Sequence, residues 1–129
     1  MRLPAKTDYA LRAVISLARA GEDCRSSQVI ADEQQIPQGF LEHILNDLRR
    51  AGLVSSQRGG RGGYRLAVPP QDLTLAAIVN AVDPQLLARP TSADNLTGPA
   101  AETIELVWLT LHTRVQDFLE GMTLADISR

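Results

Sequence analysis

The chain has 129 residues, 44% of them apolar, and a formal net charge of −2. That is enough apolar material for the core of one domain, which excludes an intrinsically disordered segment, and no apolar run approaches the roughly 20 residues of a membrane span. A single cysteine, Cys24, excludes an internal disulfide, and a start crowded with Arg2, Lys6 and Asp8 does not resemble a secretory signal, so a cytoplasmic protein is expected.

The charge is unevenly spread. Residues 1–67 carry ten Lys/Arg against seven Asp/Glu (+3), and residues 68–129 carry three against eight (−5). A basic front half predicts an anionic partner for that half alone. Thr7 or Asp8 is placed to cap a helix over Tyr9–Ala20, with Leu11, Val14, Ile15 and Ala18 facing inward and Gly21 ending it. Ser26 or Ser27 caps a second helix that turns Val29, Ile30 and Ala31 inward and ends near Gln34. Ile36-Pro37 opens a third, with proline where its missing N–H costs least. Within Gln38–Arg50, Phe40, Leu41, Ile44, Leu45 and Leu48 fall at spacings of three and four, which predicts one buried stripe. The opposite face keeps Gln38, Glu42, His43, Asn46, Arg49 and Arg50, and Gly52 stops the helix.

Three short helices with a tight turn between the second and third form a helix-turn-helix pattern. On their own they would equally suit an ordinary small helical core. The next segment of the chain decides between the two: Leu53–Gln57 and Tyr64–Ala67 are predicted strands around a tip, Arg58–Gly63, that is rich in glycine and arginine. A basic hairpin beside a polar helix face suits two neighbouring grooves of DNA.

Pro69-Pro70 breaks the chain before a fourth helix at Leu75–Val82, capped by Thr74. Asp83–Pro99 has three prolines and no sustained period, so it is predicted as loop. Ala101–Leu119 returns to helical spacing, with Ile104, Val107, Trp108, Leu111, Val115, Phe118 and Leu119 in one stripe that Leu106 and Leu109 widen. At about 1.5 Å per residue this helix spans about 28 Å, more apolar surface than a small winged helix needs, so a second chain is expected against it, with a deep monomer core as the alternative. Thr123 begins a short terminal helix. The expected fold class is mainly α with a small β-wing: a winged helix-turn-helix over residues 1–67, then residues 68–129 holding a linker helix, a loop at about 83–100, a dimerisation helix at about 101–119 and a tail.

The stretches MRLPAKTDYALRAVISLA, IADEQQIPQGFLEHILNDLRRAGLV, QRGGRGGYRLA, LTLAAIVNAVD and FLEGMTLADI, in that order, resemble the IscR/NsrR/CymR-type (Rrf-two) winged-helix transcription regulators over nearly the whole chain. The resemblance implies a homodimer crossed through the long C-terminal helix and bound to a partly palindromic operator in double-stranded DNA, with repression the implied outcome. It places the third helix in the major groove and the wing arginine in the minor groove. Carried onto this chain, the base-reading positions are Gly39, Glu42 and His43, with Gln38 nearby, and the wing position is Arg58. Glu42 can accept from cytosine N4 and Gln38 can pair with adenine. Arg58 suits a narrow minor groove, whose negative potential attracts a guanidinium. Gly39 stands where relatives often carry a hydroxyl, and Arg61 adds a second charge to the tip. Lys6, Arg49 and Arg50 are expected on phosphate, although each alone would also serve as a solvated surface charge. Gln35 replaces the glycine usual in the turn, at a cost of up to about 1 kcal/mol if the backbone there is left-handed.

Many members of that family sense iron, nitric oxide or oxidants through an iron–sulfur cluster held by three cysteines in the loop before the long helix. Here Asp83–Ala101 contains no cysteine, Glu105 stands where some relatives place a histidine ligand, and Cys24, His43 and His112 lie on separate elements. No metal and no cofactor are therefore expected, unless a dimer pools ligands from two chains. Gly59-Gly60-Arg61-Gly62-Gly63 lacks the GxxxxGK[ST] pattern of a phosphate-binding loop, and the two histidines have no nucleophile at a telling spacing, so no enzyme is expected. Three modes of control stay open. Cys24, beside Arg25 but also beside Glu22 and Asp23, is a candidate thiol redox switch. The loop Pro84–Pro99, with Arg89, Asp94 and Asn95, and the groove beside Trp108 could take a small effector or a partner protein, against the plainer reading of the loop as a flexible linker. The third is a constitutive repressor whose abundance sets its output. No membrane partner is expected.

Overall fold

The computed structural model describes residues 2–60, 62–88 and 97–129. Helix α1 spans Ala5–Ala20, α2 Ser27–Gln34 and α3 Gln38–Arg50; strands β1 (Val54–Gln57) and β2 (Gly63–Leu66) form the hairpin; α4 covers Leu75–Val82, α5 Ala101–Gly121 and α6 Leu124–Ile127.

Helix α1 starts earlier than its cap signals predict. Pro4, with φ −56°, precedes the first helical residue, and Thr7 and Asp8 lie within the first turn. Asp8 is held instead by Arg12 one turn on, at 2.9 Å. Thr7 is fully buried and its hydroxyl has no hydrogen-bond partner. The inner face also differs from the expected one: Ala10, Ala13, Val14 and Leu17 are buried, while Leu11, Ile15 and Ala18 are only half-buried.

Ser26 caps α2 by accepting from the Val29 N–H at 3.2 Å. Ile30 and Ala31 face the core, but Val29 is 51% exposed, because an eight-residue helix on the molecule's edge presents only a narrow stripe inward. Gln35 closes the turn in the left-handed conformation, φ 56° and ψ 47°, as the missing glycine implied. Its own side chain offsets part of the strain by donating to the Asp32 carbonyl at 2.9 Å. Ile36 N–H then reaches back to the Ala31 carbonyl at 3.0 Å and aims α3.

In α3 the residues Leu41, Ile44, Leu45 and Leu48 are at most 1% exposed. Phe40, predicted to share that stripe, is 57% exposed. The stripe closes without it, since Leu41 already fills the i−3 and i−4 positions of Ile44 and Leu45. Gly52 follows the helix with φ +79° and turns the chain into the hairpin. β1 and β2 pair antiparallel from Val54↔Leu66 to Gln57↔Gly63. Arg25 adds a one-residue third rung, giving its N–H to the Tyr64 carbonyl (2.9 Å) and accepting the Tyr64 N–H (2.7 Å).

One core unites α1, α2, α3 and β1 with Leu73, Leu75, Ile78 and Val82 around α4, and with Leu124 from the C-terminus. The tail is brought back by backbone bonds, Leu124 N–H to the Leu73 carbonyl at 2.7 Å and Leu75 N–H to the Met122 carbonyl at 2.9 Å. Thr123 and Asp126 form a reciprocal capping box that starts α6, and the Thr123 N–H holds the Asp126 carboxyl below its ordinary range. Helix α5 meets this core only near its C-terminal end, through Leu119. None of its residues is buried, and it touches α4 through Val115 and Leu119, which pack on Ala76, Val79 and Leu87. No helix among the described residues is long and apolar enough to cross a membrane.

Candidate nucleic-acid interface

The second and third helices meet through the Gln35 turn, and β1 packs against α3 while β2 packs against α1. The outward side of α3 and the hairpin tip are thus fixed to the same core. Gln38 opens α3, exposed, with its amide nitrogen donating to Ser27 Oγ at 2.9 Å and lying 3.5 Å from Glu42 Oε1. The Gln38 side chain thus links Ser27 of α2 with Glu42 one turn along α3. Gly39 lies next to it with open space where a Cβ would be, so the backbone itself can approach a groove. Glu42 and His43 are exposed on the same side.

The three cations expected on phosphate are surface groups tied to short acidic or amide partners. Arg49 donates to Asn46 Oδ1 at 2.8 Å, Arg50 pairs with Asp47 at 3.0 Å, and Lys6 reaches the same Asp47 at 3.7 Å from α1. Exposed pairs of this kind are worth at most about 1 kcal/mol, so they orient the cations without competing strongly with a phosphate. Arg58 is exposed at the hairpin tip and has no acidic partner among the described residues. Arg61, expected to add a second charge there, lies outside the described residues. The tip is closed by Gly62 N–H to the Gly59 carbonyl at 2.9 Å.

Spacing gave no hint of the polar knot behind the wing. The Arg25 guanidinium donates to Ser16 Oγ at 2.8 Å and pairs closely with the Glu33 carboxylate, to which Ser16 Oγ also donates at 3.0 Å. Ser16 is fully buried. Partial desolvation raises the Glu33 pKa, but the Ser16 hydrogen bond and the Arg25 charge outweigh it and hold the carboxyl below its ordinary value of 4.5. Because the Arg25 backbone also carries the rung to Tyr64, this one residue joins α1, α2 and the wing. Gly63 makes the junction possible: with φ +141°, its Cα lies so close that an added Cβ would sit 2.5 Å from the Arg25 carbonyl oxygen.

Cys24 precedes that junction, half-buried, and its thiol donates to Gln57 Oε1 at 3.4 Å. The sequence puts Arg25 beside it, but the guanidinium is turned to Glu33. On α5, Ile104, Leu106, Val107, Trp108, Leu111 and Phe118 are 41–64% exposed, whereas Val115 turns toward α4. Of the loop before α5, Leu87 is buried against α4, and residues 89–96, including Arg89, Asp94 and Asn95, lie outside the described residues.

A helix-turn-helix with a paired-strand wing, its second helix polar outward and its wing tip basic, defines a winged-helix DNA-binding protein. The chain belongs to the Rrf2 family, described as iron-dependent transcriptional regulators, which it matches over residues 3–129. It is 36% identical over 128 residues to a Synechocystis protein named as an HTH-type transcriptional regulator, covering 98% of this chain and 87% of that one. It is 35% identical to the transcriptional regulator IscR of Photobacterium profundum, covering 100% and 76% of the two chains. CymR, the global cysteine regulator of B. subtilis, superposes with a TM-score of 0.84 at 29% identity, covering 99% of this chain and 96% of CymR. The family is one of transcriptional regulators, not of enzymes.

The donors present do not fit a cysteine-ligated iron–sulfur cluster. The chain's one cysteine is at the base of the wing, bonded to Gln57, and not before α5. Among the described residues no group of three His, Cys, Asp or Glu side chains could hold a metal ion.

Proposed function

We propose that this chain is a cytoplasmic, homodimeric repressor that reads a partly palindromic operator and works without an iron–sulfur cluster. The observation that carries the reading is the joint presentation, on one core, of an outward polar α3 and a basic, exposed Arg58 that has no acidic partner among the described residues. In this reading residues 1–67 bind DNA. Gly39, Glu42 and His43 face base edges, with Gln38 holding Glu42. Arg58, with Arg61, enters the minor groove, and Lys6, Arg49 and Arg50 meet phosphate. Residues 68–129 supply the second function, pairing two chains through the exposed face of Ile104, Val107, Trp108, Leu111 and Phe118, with Val115 at its edge. Six large apolar side chains on one helix, all more than 40% exposed, support a covered face.

A duplex pool with randomised sequence, offered to the protein as purified without added iron, tests the whole reading. A two-fold symmetric consensus bound at one dimer per site is expected, with Glu42→Ala relaxing preference at a cytosine and Arg58→Ala weakening an A·T-rich position. Recovery of no consensus would contradict it.

One contact favours a second reading of the control step. The Cys24 thiol leans on Gln57, the residue before Arg58, so oxidation there would disturb the wing's base. A Cys24→Ser variant that keeps the wild-type DNA response to peroxide would exclude this route.

A further inference from the structure

We propose that Phe40 is a specificity residue that reads a thymine through its 5-methyl group, an inference that rests on the DNA-binding reading above. Phe40 is the third residue of α3, in the turn whose side chains meet base edges when such a helix enters the major groove. It is 57% exposed, although it is one of only two phenylalanines in the chain and the stripe beside it is fully buried. The ring is not loose. Tyr9 of α1 lies against one side of it, centroids 6.0 Å apart and planes tilted by 60°, within the range of a stabilising aromatic pair. More than half of the residue's surface is left to solvent.

The surroundings continue the DNA-facing surface. Gly39 precedes it with no side chain to hold the helix off a groove, His43 follows one turn on, and the Lys6–Asp47 pair joins α1 to the same edge. A phenyl ring has no donor or acceptor, so it cannot read the polar pattern of a base pair. The one apolar feature that a base pair shows in the major groove is the thymine methyl. A ring propped on Tyr9 beside a glycine suits that methyl, and it supplies from the next residue the contact that Gly39 lacks.

The test starts from the consensus duplex that the wild-type protein selects. Each thymine is replaced in turn by deoxyuridine, which removes only the methyl, and the duplexes are titrated with wild type, Phe40→Leu and Phe40→Ala, after thermal melting has checked that both variants fold. One thymine per half-site should lose about fourfold in wild-type affinity, the scale of one buried methyl. Phe40→Leu should keep part of that loss and Phe40→Ala none. A wild type indifferent to every replacement would overturn the assignment. So would a Phe40→Ala variant that still loses fourfold at the same thymine, or one that weakens all duplexes alike. Failure to select any consensus precedes these steps and marks failure of the DNA-reading function itself, which takes this assignment with it.

Discussion

Gly63→Ala should detach the wing. The residue sits at φ +141°, where an L side chain is strained by about 1–3 kcal/mol, and its new Cβ would lie 2.5 Å from the Arg25 carbonyl oxygen and 2.6 Å from the carbonyl carbon. Both are backbone atoms, fixed by the Arg25–Tyr64 rung at 2.9 and 2.7 Å, so no side chain can swing aside to relieve the contact. The cheapest response is to break the rung, which forfeits two backbone hydrogen bonds at about 1 kcal/mol each. Together these give about 3–5 kcal/mol, or a melting midpoint lowered by about 10–20 °C for a chain of this size. Gly60→Ala in the same hairpin is the control, since its Cβ would meet nothing within 4 Å and its φ is not positive. Thermal melting, with hydrogen exchange of the Arg25 and Tyr64 amides, gives the readout. An unchanged midpoint with both amides still protected in Gly63→Ala would refute the reasoning.

Three further outcomes are expected. Thr7→Val keeps the shape of a fully buried side chain and removes a hydroxyl without a partner, so the protein should gain about 1 kcal/mol in denaturant melts. Glu33 has its folded pKa depressed below 4.5, so its stabilising contribution is complete above that pH and is lost as pH falls through the lowered value. The melting midpoint of Glu33→Gln should therefore lie below wild type at neutral pH, and the gap should close in acid; a gap independent of pH would count against the Ser16–Glu33–Arg25 knot. Trp108→Asp changes a residue 58% exposed in the single chain, so circular dichroism should be preserved while sedimentation shifts from dimer to monomer. A variant that still sediments as a dimer would argue against pairing through this face.

Much of the architecture was legible because it rests on local rules. Ser26 and Thr74 cap as their types predict, and Gly52 ends α3 in the positive-φ conformation that glycine supplies. Gln35 adopts the left-handed geometry expected of a residue in glycine's place. Periodicity failed where two readings of one stripe were nearly equivalent. Phe40 and Leu41 are adjacent, either could head the stripe, and only the packing of α1 against α3 decides that Leu41 goes in and Phe40 stays out. Val29 failed for a similar reason, since a helix of two turns has too few positions to define its inner face. The start of α1 was missed because the chain uses Pro4 in place of a side-chain cap. The Arg25–Glu33–Ser16 knot draws on three elements, and no spacing along the chain encodes it. On α5 the sequence shows an apolar stripe, and the fold adds that Val115 and Leu119 turn toward α4 while Ile104, Val107 and Trp108 do not.

The central claim is sequence-selective DNA binding by the metal-free protein. Fluorescence anisotropy with the DNA upstream of its own gene, beside a scrambled duplex of equal length and at two salt concentrations, tests it most directly. Tighter binding to the upstream duplex is expected at both salt concentrations, with the preference kept as phosphate contacts weaken. Equal binding to both duplexes that collapses together as salt rises would contradict it, because only the charge of the phosphates would then be read.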